Sequence, residues 1–414
     1  MKTFQRRRLA VAIAASVGLV GVAHAGFEEV TDGNPFDAIT STGENPSLVM
    51  MDLDNDGDKD AVLFHNYQND NYPYNYGGTS VWENIGSATA PEFSHVPDVS
   101  YAGPGYAGQD IAVSPFADDY DRYYGHPVSA ADLEGDGDLD FFGGQDCAYS
   151  SAQLSFAEVE SDESGVVTGV THYPFTYSGG DGYGSSANPF YGNTLAPSAA
   201  YGGCGSVSFA AGDLDNDSKI DIVSVDENTL RVFMNTSMTV ETTPYTFMDL
   251  GGNSPLVEAS ALTPPYYGAP AVLHDVDADG DLDLVMGTVS AAPLRLFINE
   301  GTASTADFAE VEDTTGSVDV TSTGWAAPTF ADMDGDGKDD LIVVELNMSQ
   351  QELLPRQAEG RAVLESSQSI RYFRNTSADD SGAEEESSPS SSGGSLGIAA
   401  MLMGMLIGLR RRRR

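Results

Sequence analysis

The sequence predicts an all-β fold built from repeats, and two observations carry this prediction. A nine-residue acidic pattern, D-x-[DE]-x-D-x-x-x-D, occurs five times along the 414 residues. A short apolar run follows each copy directly, as in Ala61–Phe64 after the first copy and Leu341–Val344 after the fifth. Short apolar runs bounded by turn residues are typical of buried strands, and their recurrence indicates a repeat architecture.

Residues 1–25 are typical of a secretory signal peptide. Lys2 and Arg6–Arg8 form a basic segment, residues 9–22 are apolar, and Ala23-His24-Ala25 is a small-x-small cleavage site. We therefore expect signal peptidase to cut after Ala25 and the protein to be exported. An uncleaved N-terminal anchor is the alternative, although the apolar segment is short for a membrane span.

The C-terminal residues contain a second candidate targeting segment. Residues 377–392 are rich in Ser and Glu, which is typical of a flexible linker. Gly393 and Gly394 follow, then the apolar residues 396–409 and the arginines Arg410–Arg414. An apolar helix of this length reaches about 21 Å, less than a hydrocarbon core of about 30 Å.

Residues 393–414 resemble the GlyGly-CTERM sorting signal of Gram-negative bacteria, in which a Gly-Gly pair precedes a short helix and terminal arginines. The resemblance implies transient anchoring in the inner membrane and cleavage by a rhomboid-type sorting protease near Gly393 and Gly394. It also implies that the mature protein is displayed at the cell surface or outer membrane, or secreted. A plain C-terminal membrane anchor is the alternative.

The part of the chain between the two targeting segments is strongly acidic. It has 10 of the 19 basic residues against 63 acidic ones, a net charge of −53. Such a body repels phosphate backbones, so nucleic acid is excluded as a partner. Aromatic and β-branched residues are plentiful, which distinguishes the chain from a disordered acidic tail. We expect the acidic groups to be ordered and neutralised by a bound group.

The chain has two cysteines, Cys147 and Cys204. A disulfide between them is expected in an exported protein, and two free thiols are the alternative. Cys147 follows the second acidic copy and Cys204 precedes the third. The bridge would therefore join two consecutive repeats.

We name the five acidic copies loops one to five; they are residues 52–60, 132–140, 213–221, 275–283 and 332–340. Carboxylates at positions 1, 3, 5 and 9 occur in every loop, whereas position 7 is Asp or Lys. Two carboxylates 4 Å apart repel by about 4 kcal/mol at an effective dielectric constant of 20, so a cation is expected among them. Oxygen ligands without His or Cys favour calcium, with a backbone carbonyl at position 7. Position 6 is Gly in four loops, which suits a turn with positive φ.

The predicted ligands serve up to five Ca2+ ions. They are Asp52, Asp54, Asp56, Asp58 and Asp60 in loop one; Asp132, Glu134, Asp136, Asp138 and Asp140 in loop two; Asp213, Asp215, Asp217 and Asp221 in loop three; Asp275, Asp277, Asp279, Asp281 and Asp283 in loop four; and Asp332, Asp334, Asp336 and Asp340 in loop five. An EF-hand would need a bidentate Glu at position 12 and flanking helices, and no loop has that Glu. We expect each loop to be a hairpin connection between two strands.

The loops resemble the FG-GAP/VCBS repeats of integrin α-chain propellers. An aromatic-x-Asn step downstream also carries the resemblance; it reads Trp82-Glu83-Asn84, Phe233-Met234-Asn235, Phe297-Ile298-Asn299 and Phe373-Arg374-Asn375. The resemblance covers nearly all of residues 26–376. It implies a β-propeller, calcium in the loops, and binding or adhesion. Repeat two departs because no Asn follows its Phe156, and loop three has Ser218 in place of glycine.

A fourth strand is expected after the Asn step; its candidates are Phe93–Val96, Phe175–Tyr177, Phe247–Leu250 and Phe308–Val311. It is missing after Asn375, whereas Phe27–Val30 repeats it at the start of the mature chain. We expect this N-terminal strand to complete the last blade and close the ring. The direct count is five blades, and six or seven is the alternative because the first three repeats are long.

Segments 65–77, 100–125 and 172–203 contain 14 of the 19 tyrosines. Tyrosine gives a large contact area with a polar end, as in binding loops, and packing of the loops on themselves is the alternative. Strand order predicts that all three segments lie on the face opposite the acidic loops. The candidate ligand contacts are Tyr72, Tyr74, Tyr106, Tyr123, Tyr124, Tyr183 and Tyr191.

We therefore expect a calcium-stabilised module at the cell surface that binds a carbohydrate or a protein. A secreted hydrolase or lyase on the same scaffold is a second possibility. Against it, no histidine stands in a nucleophile elbow or an HExxH motif, and no catalytic residue is identified. A purely structural surface protein is the third possibility.

Overall fold

The computed structural model describes residues 26–40, 44–68, 75–96, 128–143, 154–173, 189–190, 195, 208–225, 230–239, 245–250, 270–287, 294–302, 306–311, 324–347 and 367–377. The chain divides into two units, Met1–Ala378 and Asp379–Arg414. All described residues belong to the first unit. No helix among them is long and apolar enough to cross a membrane, and the predicted tail at 393–414 lies outside them.

The first unit is a five-bladed β-propeller of four-stranded antiparallel sheets, whose strands are named A to D within each blade. Blade one consists of β2 Glu44–Met51, β3 Asp60–Gln68, β4 Asn75–Asn84 and β5 Phe93–His95. Blade two consists of β6 Val128–Ala131, β7 Asp140–Gly143, β8 Ser155–Ser161 and β9 Val167–Tyr173. Blade three consists of β10 Ser208–Gly212, β11 Asp221–Val225, β12 Leu230–Asn235 and β13 Phe247–Asp249. Blade four consists of β14 Ala271–His274, β15 Asp283–Met286, β16 Arg295–Asn299 and β17 Phe308–Val311. Blade five consists of β18 Trp325–Ala331, β19 Asp340–Asn347, β20 Ser367–Asn375 and, as strand D, β1 Phe27–Glu29.

The A strands form a closed ring. Each one contacts the A strands of both neighbouring blades, in the cyclic order β2, β6, β10, β14, β18 and back to β2. Five strands complete this circle, so the direct count of five blades is confirmed. Blades two and three are neighbours, as the predicted disulfide requires, although both cysteines lie outside the described residues.

The N-terminal strand β1 closes the ring, which confirms the prediction. It pairs antiparallel with β20, with Phe27 opposite Asn375. The carbonyl oxygen of Gly26 accepts hydrogen bonds from the backbone N–H and the hydroxyl of Thr376, at 2.6 and 2.8 Å. The outer edge of β20 is thereby covered, which removes an unpaired strand edge from the last blade.

In three blades, an arginine on strand C forms an ion pair with an acidic residue on strand D. In blade five, Arg371 donates to both carboxylate oxygens of Glu29 at 2.7 and 2.8 Å and to Glu345 at 3.3 Å. The equivalent pairs are Arg231–Asp249 in blade three and Arg295–Glu310 in blade four. Each guanidinium also lies 4.8–5.9 Å from the ring of the phenylalanine two residues further on.

Among the described residues, the hydrophobic core has five layers, one between each pair of neighbouring blades, and a small cluster of Trp325 and Leu346 within blade five. Between blades two and three, for example, Phe142 and Phe156 pack with Phe209 and Phe233. Every layer also contains the residue at position 2 of the preceding blade's acidic loop; these residues are Leu53, Leu133, Leu214, Val276 and Met333. The acidic loops are therefore part of the joints between blades.

The prediction for strand D of blade two was wrong. The strand is Val167–Tyr173, not Phe175–Tyr177, which lies outside the described residues. A tight turn joins it to strand C: Asp162 donates its N–H to the carbonyl of Val166 at 2.9 Å, and Gly165 has a φ of 83°. Because this turn is short, strand D begins at once and ends before the predicted segment.

The register of strand C in blade two also differs from the prediction. Ala157, rather than Phe156, lies opposite Phe141, at the position that an aromatic residue occupies in the other blades. Phe156 instead packs in the layer toward blade three, with ring centroids 5.4 Å from Phe142 and 5.6 Å from Phe190. Phe156 therefore lies in the core layer toward blade three and not at the position that the repeat pattern predicts.

A chain that begins at residue 31 tests the closing strand. We expect its free energy of unfolding to fall by at least about 2 kcal/mol, because several backbone hydrogen bonds worth about 0.5–1.5 kcal/mol each are lost. Urea denaturation measures the change. The control is Glu29→Gln, which keeps the strand and weakens an exposed ion pair worth less than about 1 kcal/mol. Equal stability of the shortened and full chains would show that β1 does not close the ring.

Candidate metal centres

Each acidic loop connects strand A to strand B of its own blade, as predicted. Every loop is flanked by two strands, whereas an EF-hand loop is flanked by two helices. Since A–B turns all lie at the same end of the blades, the five loops share one face of the ring. The five loops are therefore arranged in a circle around the propeller axis on that face.

The aspartate at position 9 holds each loop to two strands. It is the first residue of strand B and is at most 2% exposed. One carboxylate oxygen accepts the N–H of loop position 2, at 2.9–3.1 Å. The other accepts an N–H of strand C, at 2.7–3.0 Å. These aspartates are Asp60, Asp140, Asp221, Asp283 and Asp340.

The Asn of the aromatic-x-Asn step supplies that strand C N–H in four blades. Its side chain also organises the turn to strand D: in blade four, Asn299 Oδ1 accepts from the N–H groups of Gly301 at 3.2 Å and Asp307 at 2.8 Å. In blade two, Val159 donates the N–H to Asp140, since any residue other than proline can supply a backbone donor. Asp162 serves the turn there by accepting from Ser164 at 2.8 Å.

The other loop carboxylates shape the turn. In loop four, Asp275 accepts the N–H groups of Asp279 at 3.1 Å and Gly280 at 2.9 Å, and Asp279 accepts that of Asp281 at 2.9 Å. Equivalent bonds occur in loops one to three. Loop five has two of the three, and there Asp332 accepts the N–H of Gly335 while Asp336 donates its N–H to Asp334. Side-chain acceptors thus replace the regular backbone ladder where the chain reverses.

Two positions in every loop have positive φ. The prediction for position 6 is confirmed, and Ser218 adopts it as well, with a φ of 66°. Position 4 also has positive φ, which was not predicted from the sequence. The sequence signal for it is Asn or Gly at position 4 in four loops. The residues at position 4 are Asn55, Gly135, Asn216, Ala278 and Gly335, with φ of 56–75°. Asn and Gly tolerate this region better than other residues.

In four loops, three carboxylates converge so that one oxygen from each lies within 4.8 Å of the others. The groups are Asp52, Asp54 and Asp60; Asp213, Asp215 and Asp221; Asp275, Asp277 and Asp279; and Asp332, Asp334 and Asp340. Each group is an all-oxygen set that could hold a metal ion. The remaining predicted ligands of these loops lie outside the converging groups; they are Asp56, Asp58, Asp217, Asp281, Asp283 and Asp336.

Loop two differs from the others. Within the described residues, Asp132, Glu134, Asp136, Asp138 and Asp140 form no such converging group. Glu134, one methylene longer than the aspartate at position 3 elsewhere, instead hydrogen-bonds to Asp140 through its side chain. Burial and this neighbouring carboxylate raise the pKa of Glu134. Loop two therefore pairs its acids with each other.

Burial makes the position 9 carboxylates electrostatically unfavourable. Burial raises the pKa of Asp60 and Asp340 to about 6 and that of Asp221 and Asp283 to about 7, although two backbone N–H groups act in the opposite direction. Neighbouring loop carboxylates raise these pKa values further. Hydrogen bonds alone leave the charge only partly compensated, so a nearby cation would be favourable.

Two buried carboxylate oxygens fit a cation directly. Oδ1 of Asp215 and Oδ1 of Asp58 are buried and accept no hydrogen bond. Asp215 belongs to the converging group of loop three, and Asp58 faces the other carboxylates of loop one. A buried oxygen without a donor costs about 1–3 kcal/mol, which coordination to a metal ion would recover.

Several predicted functional residues lie outside the described residues. They are Tyr72, Tyr74, Tyr106, Tyr123, Tyr124, Tyr183 and Tyr191; Cys147 and Cys204; and the processing residues Ala25, Gly393 and Gly394. Their roles stay predictions.

Comparison with known proteins supports the repeat assignment. Residues 275–343, which contain loops four and five, match the family described as FG-GAP-like repeat. No curated protein sequence matches the chain. Among solved structures, the chain is similar to an Agrocybe aegerita lectin, described as specifically recognising non-reducing terminal N-acetylglucosamine, with 16% identity and a TM-score of 0.32. The alignment covers 74% of this chain and 63% of the lectin, so the chain spans less than two thirds of the lectin's length. The matched FG-GAP-like repeat lies within a five-bladed β-propeller.

Replacing Asp221 by Asn tests the structural role of position 9. The amide cannot accept both backbone N–H groups, so we expect a loss of about 1–3 kcal/mol in the free energy of unfolding even in EDTA. Urea denaturation measures it. The control is Asp217→Asn at the more exposed position 5, where we expect a smaller loss. If the two variants lost equal stability, position 9 would not be the main connection between loop and strands.

Proposed function

We propose that this protein is an exported, calcium-stabilised β-propeller that acts at the cell surface as a binding or adhesion module for a carbohydrate or a protein. The observation that carries the proposal is the convergence of carboxylates in four loops on one face of the ring. Such groups repel one another unless a cation lies among them.

Calcium suits these loops better than other metals. The donors are carboxylate oxygens, with no His or Cys in any converging group, and calcium accepts irregular sets of six to eight oxygens. Magnesium requires a stricter octahedron, and softer metals prefer nitrogen or sulfur. The residues that would hold the ion are the converging aspartates, together with position 5 and the backbone carbonyl of position 7.

The ion would act on the whole ring through the loops. Bound calcium supplies positive charge that offsets the carboxylate repulsion. Residues of the loop connect the ion site to the ring. The aspartate at position 9 is hydrogen-bonded to the loop and to strand C, and the side chain at position 2 packs in the layer between blades. A fixed loop therefore fixes the angle between two neighbouring blades.

Strand direction supports the face opposite the loops as the ligand surface. Strand B runs away from its acidic loop, so the chain leaves Gln68 at the far end of blade one. Strand A runs toward its loop, so the chain enters Val128 and Ser208 from that same end. The Tyr-rich segments 65–77, 100–125 and 172–203 join the strands at that end. The prediction that all three lie wholly on this face is corrected for segment 172–203: the carbonyl of Pro189 accepts the N–H of Tyr245 at 2.7 Å in the C–D connection of blade three, which lies at the acidic-loop end. Aromatic connections on a rigid ring are suited to recognition.

Export and processing complete the proposal. Signal peptidase would release the chain after Ala25, and β1 begins two residues later. The C-terminal segment would hold the protein in the inner membrane until a rhomboid-type protease cleaves near Gly393 and Gly394. The mature protein would then remain at the surface or be released.

Removal of calcium tests the metal assignment. We expect EGTA to lower Tm, because each site adds about 2.7 kcal/mol of stability at a calcium concentration a hundredfold above its Kd. Asp277→Asn in loop four should remove one site from a calorimetric titration. The control is Glu134→Gln in loop two, which should leave the number of high-affinity sites unchanged. An identical Tm with and without EGTA would contradict the proposal.

Binding to glycan and extracellular-protein arrays, with and without calcium, tests the recognition role. We expect the double variant Tyr123→Ala, Tyr124→Ala to lose at least about tenfold in affinity for the ligand found, since each buried aromatic contact contributes about 1–2 kcal/mol or more. The control is Tyr245→Phe, a core residue buried between blades two and three. No ligand on any array would favour a purely structural surface protein.

A further inference from the structure

In blades two and five, the strand C residue at the middle position of the aromatic-x-Asn step lies near position 3 of the acidic loop in its own blade. In blade five, Nε of Arg374 is 2.8 Å from Oδ2 of Asp334. In blade two, Glu158 stands in the same place and repels Glu134. One structural position therefore carries a positive group in one blade and a negative group in another.

The same place is apolar in blades three and four. Met234 and Ile298 occupy it there, and both pack partly buried against the core layers. Neither side chain can donate a hydrogen bond or carry a charge. The position 3 acids of loops three and four, Asp215 and Asp277, therefore receive no counter-charge from this residue.

Strand C of blade five already satisfies two of the converging carboxylates of loop five. Arg374 pairs with Asp334, and the hydroxyl of Tyr372 donates to Oδ2 of Asp340 at 2.8 Å. In blades three and four, the residues equivalent to Tyr372 are Val232 and Leu296, which cannot donate. Loop five is thus the converging group to which strand C supplies both a positive charge and a hydroxyl donor.

We infer that the residue before the strand C Asn sets the cation affinity of its loop, and that Arg374 makes loop five a weak, partly self-neutralised site. This inference rests on the proposed binding of calcium. A divalent cation at loop five must share Asp334 with a guanidinium or displace it, whereas strand C brings no cation to loop three, whose own cation Lys219 pairs with Asp217, outside the converging group.

Loop five lies where the two ends of the propeller meet. Arg374 is opposite Glu28 in the pairing of β20 with the closing strand β1. Lys338, at position 7 of the loop, donates to the carbonyl of Ser377 at 2.6 Å. The joint that closes the ring is therefore neutralised in part by the chain's own cations.

Arg374→Met copies the residue of blade three into blade five. We expect calorimetric titration of the metal-free protein with CaCl2 to show one site roughly fivefold tighter, the factor that corresponds to about 1 kcal/mol for a partly exposed ion pair. The reciprocal variant, Met234→Arg, should weaken one site by a similar factor. Arg374→Lys retains the charge and should keep the affinity close to that of the unchanged protein.

Thermal unfolding gives a second readout that a packing role would not produce. Without calcium, Arg374→Met should melt below the unchanged protein, since Asp334 loses its counter-charge. At saturating calcium the difference should shrink or reverse, because the variant gains more from the ion.

The outcomes separate the two proposals. If the unchanged protein binds no calcium, the proposed function fails and this inference fails with it. If it binds calcium but neither Arg374→Met nor Met234→Arg changes any affinity, the inference alone is overturned. The inference is likewise overturned if Arg374→Met lowers Tm equally at all calcium concentrations, because Arg374 would then act through packing.

Discussion

A buried aspartate at the start of every B strand is the interaction on which the rest of this propeller depends. Its two oxygens accept one N–H from the loop and one from strand C, so a single side chain joins three segments of a blade. The same group is an anion in an apolar setting, and burial raises its pKa to about 7 in Asp221 and Asp283. The fold therefore creates a local need for positive charge at the places where its hairpins turn.

The loop also connects this charge to the packing between blades. Position 2 of each loop hydrogen-bonds to the buried aspartate through its N–H and inserts its side chain in the layer toward the next blade. In blade four that residue is Val276, which packs with Leu341 and Phe373 of blade five. One residue of each loop thus contacts the buried carboxylate through its backbone and the neighbouring blade through its side chain. This arrangement gives a physical route by which a cation in a loop would stiffen the whole ring.

The sequence predicted most of this architecture because the informative residues recur at fixed spacing. The acidic hairpins, the Asn step and the N-terminal closing strand are local patterns, and the structure confirms all three. Blade two was predicted less well, since its strand C register is decided by the contact of Phe156 with Phe190, a residue from a distant segment. The loops show a similar limit: Ser218 fits the positive φ that glycine usually supplies, and Glu134 contacts Asp140 in loop two, which has no converging group of three among the described residues. Spacing alone could reveal neither side-chain contact.

The five loops share one backbone and differ in electrostatic surroundings. At the strand C position in the middle of the aromatic-x-Asn step, the side chain is apolar in blades three and four, a carboxylate in blades one and two and a guanidinium in blade five. The loops share one backbone conformation because the carboxylates at positions 1, 5 and 9 make the same kinds of hydrogen bond in each blade. A change of charge at the strand C position leaves these bonds intact. That position is therefore free to vary without loss of the fold. In blade five, where the first strand of the chain completes the sheet, this position carries a cation of the chain itself, Arg374, which pairs with the loop carboxylate of Asp334.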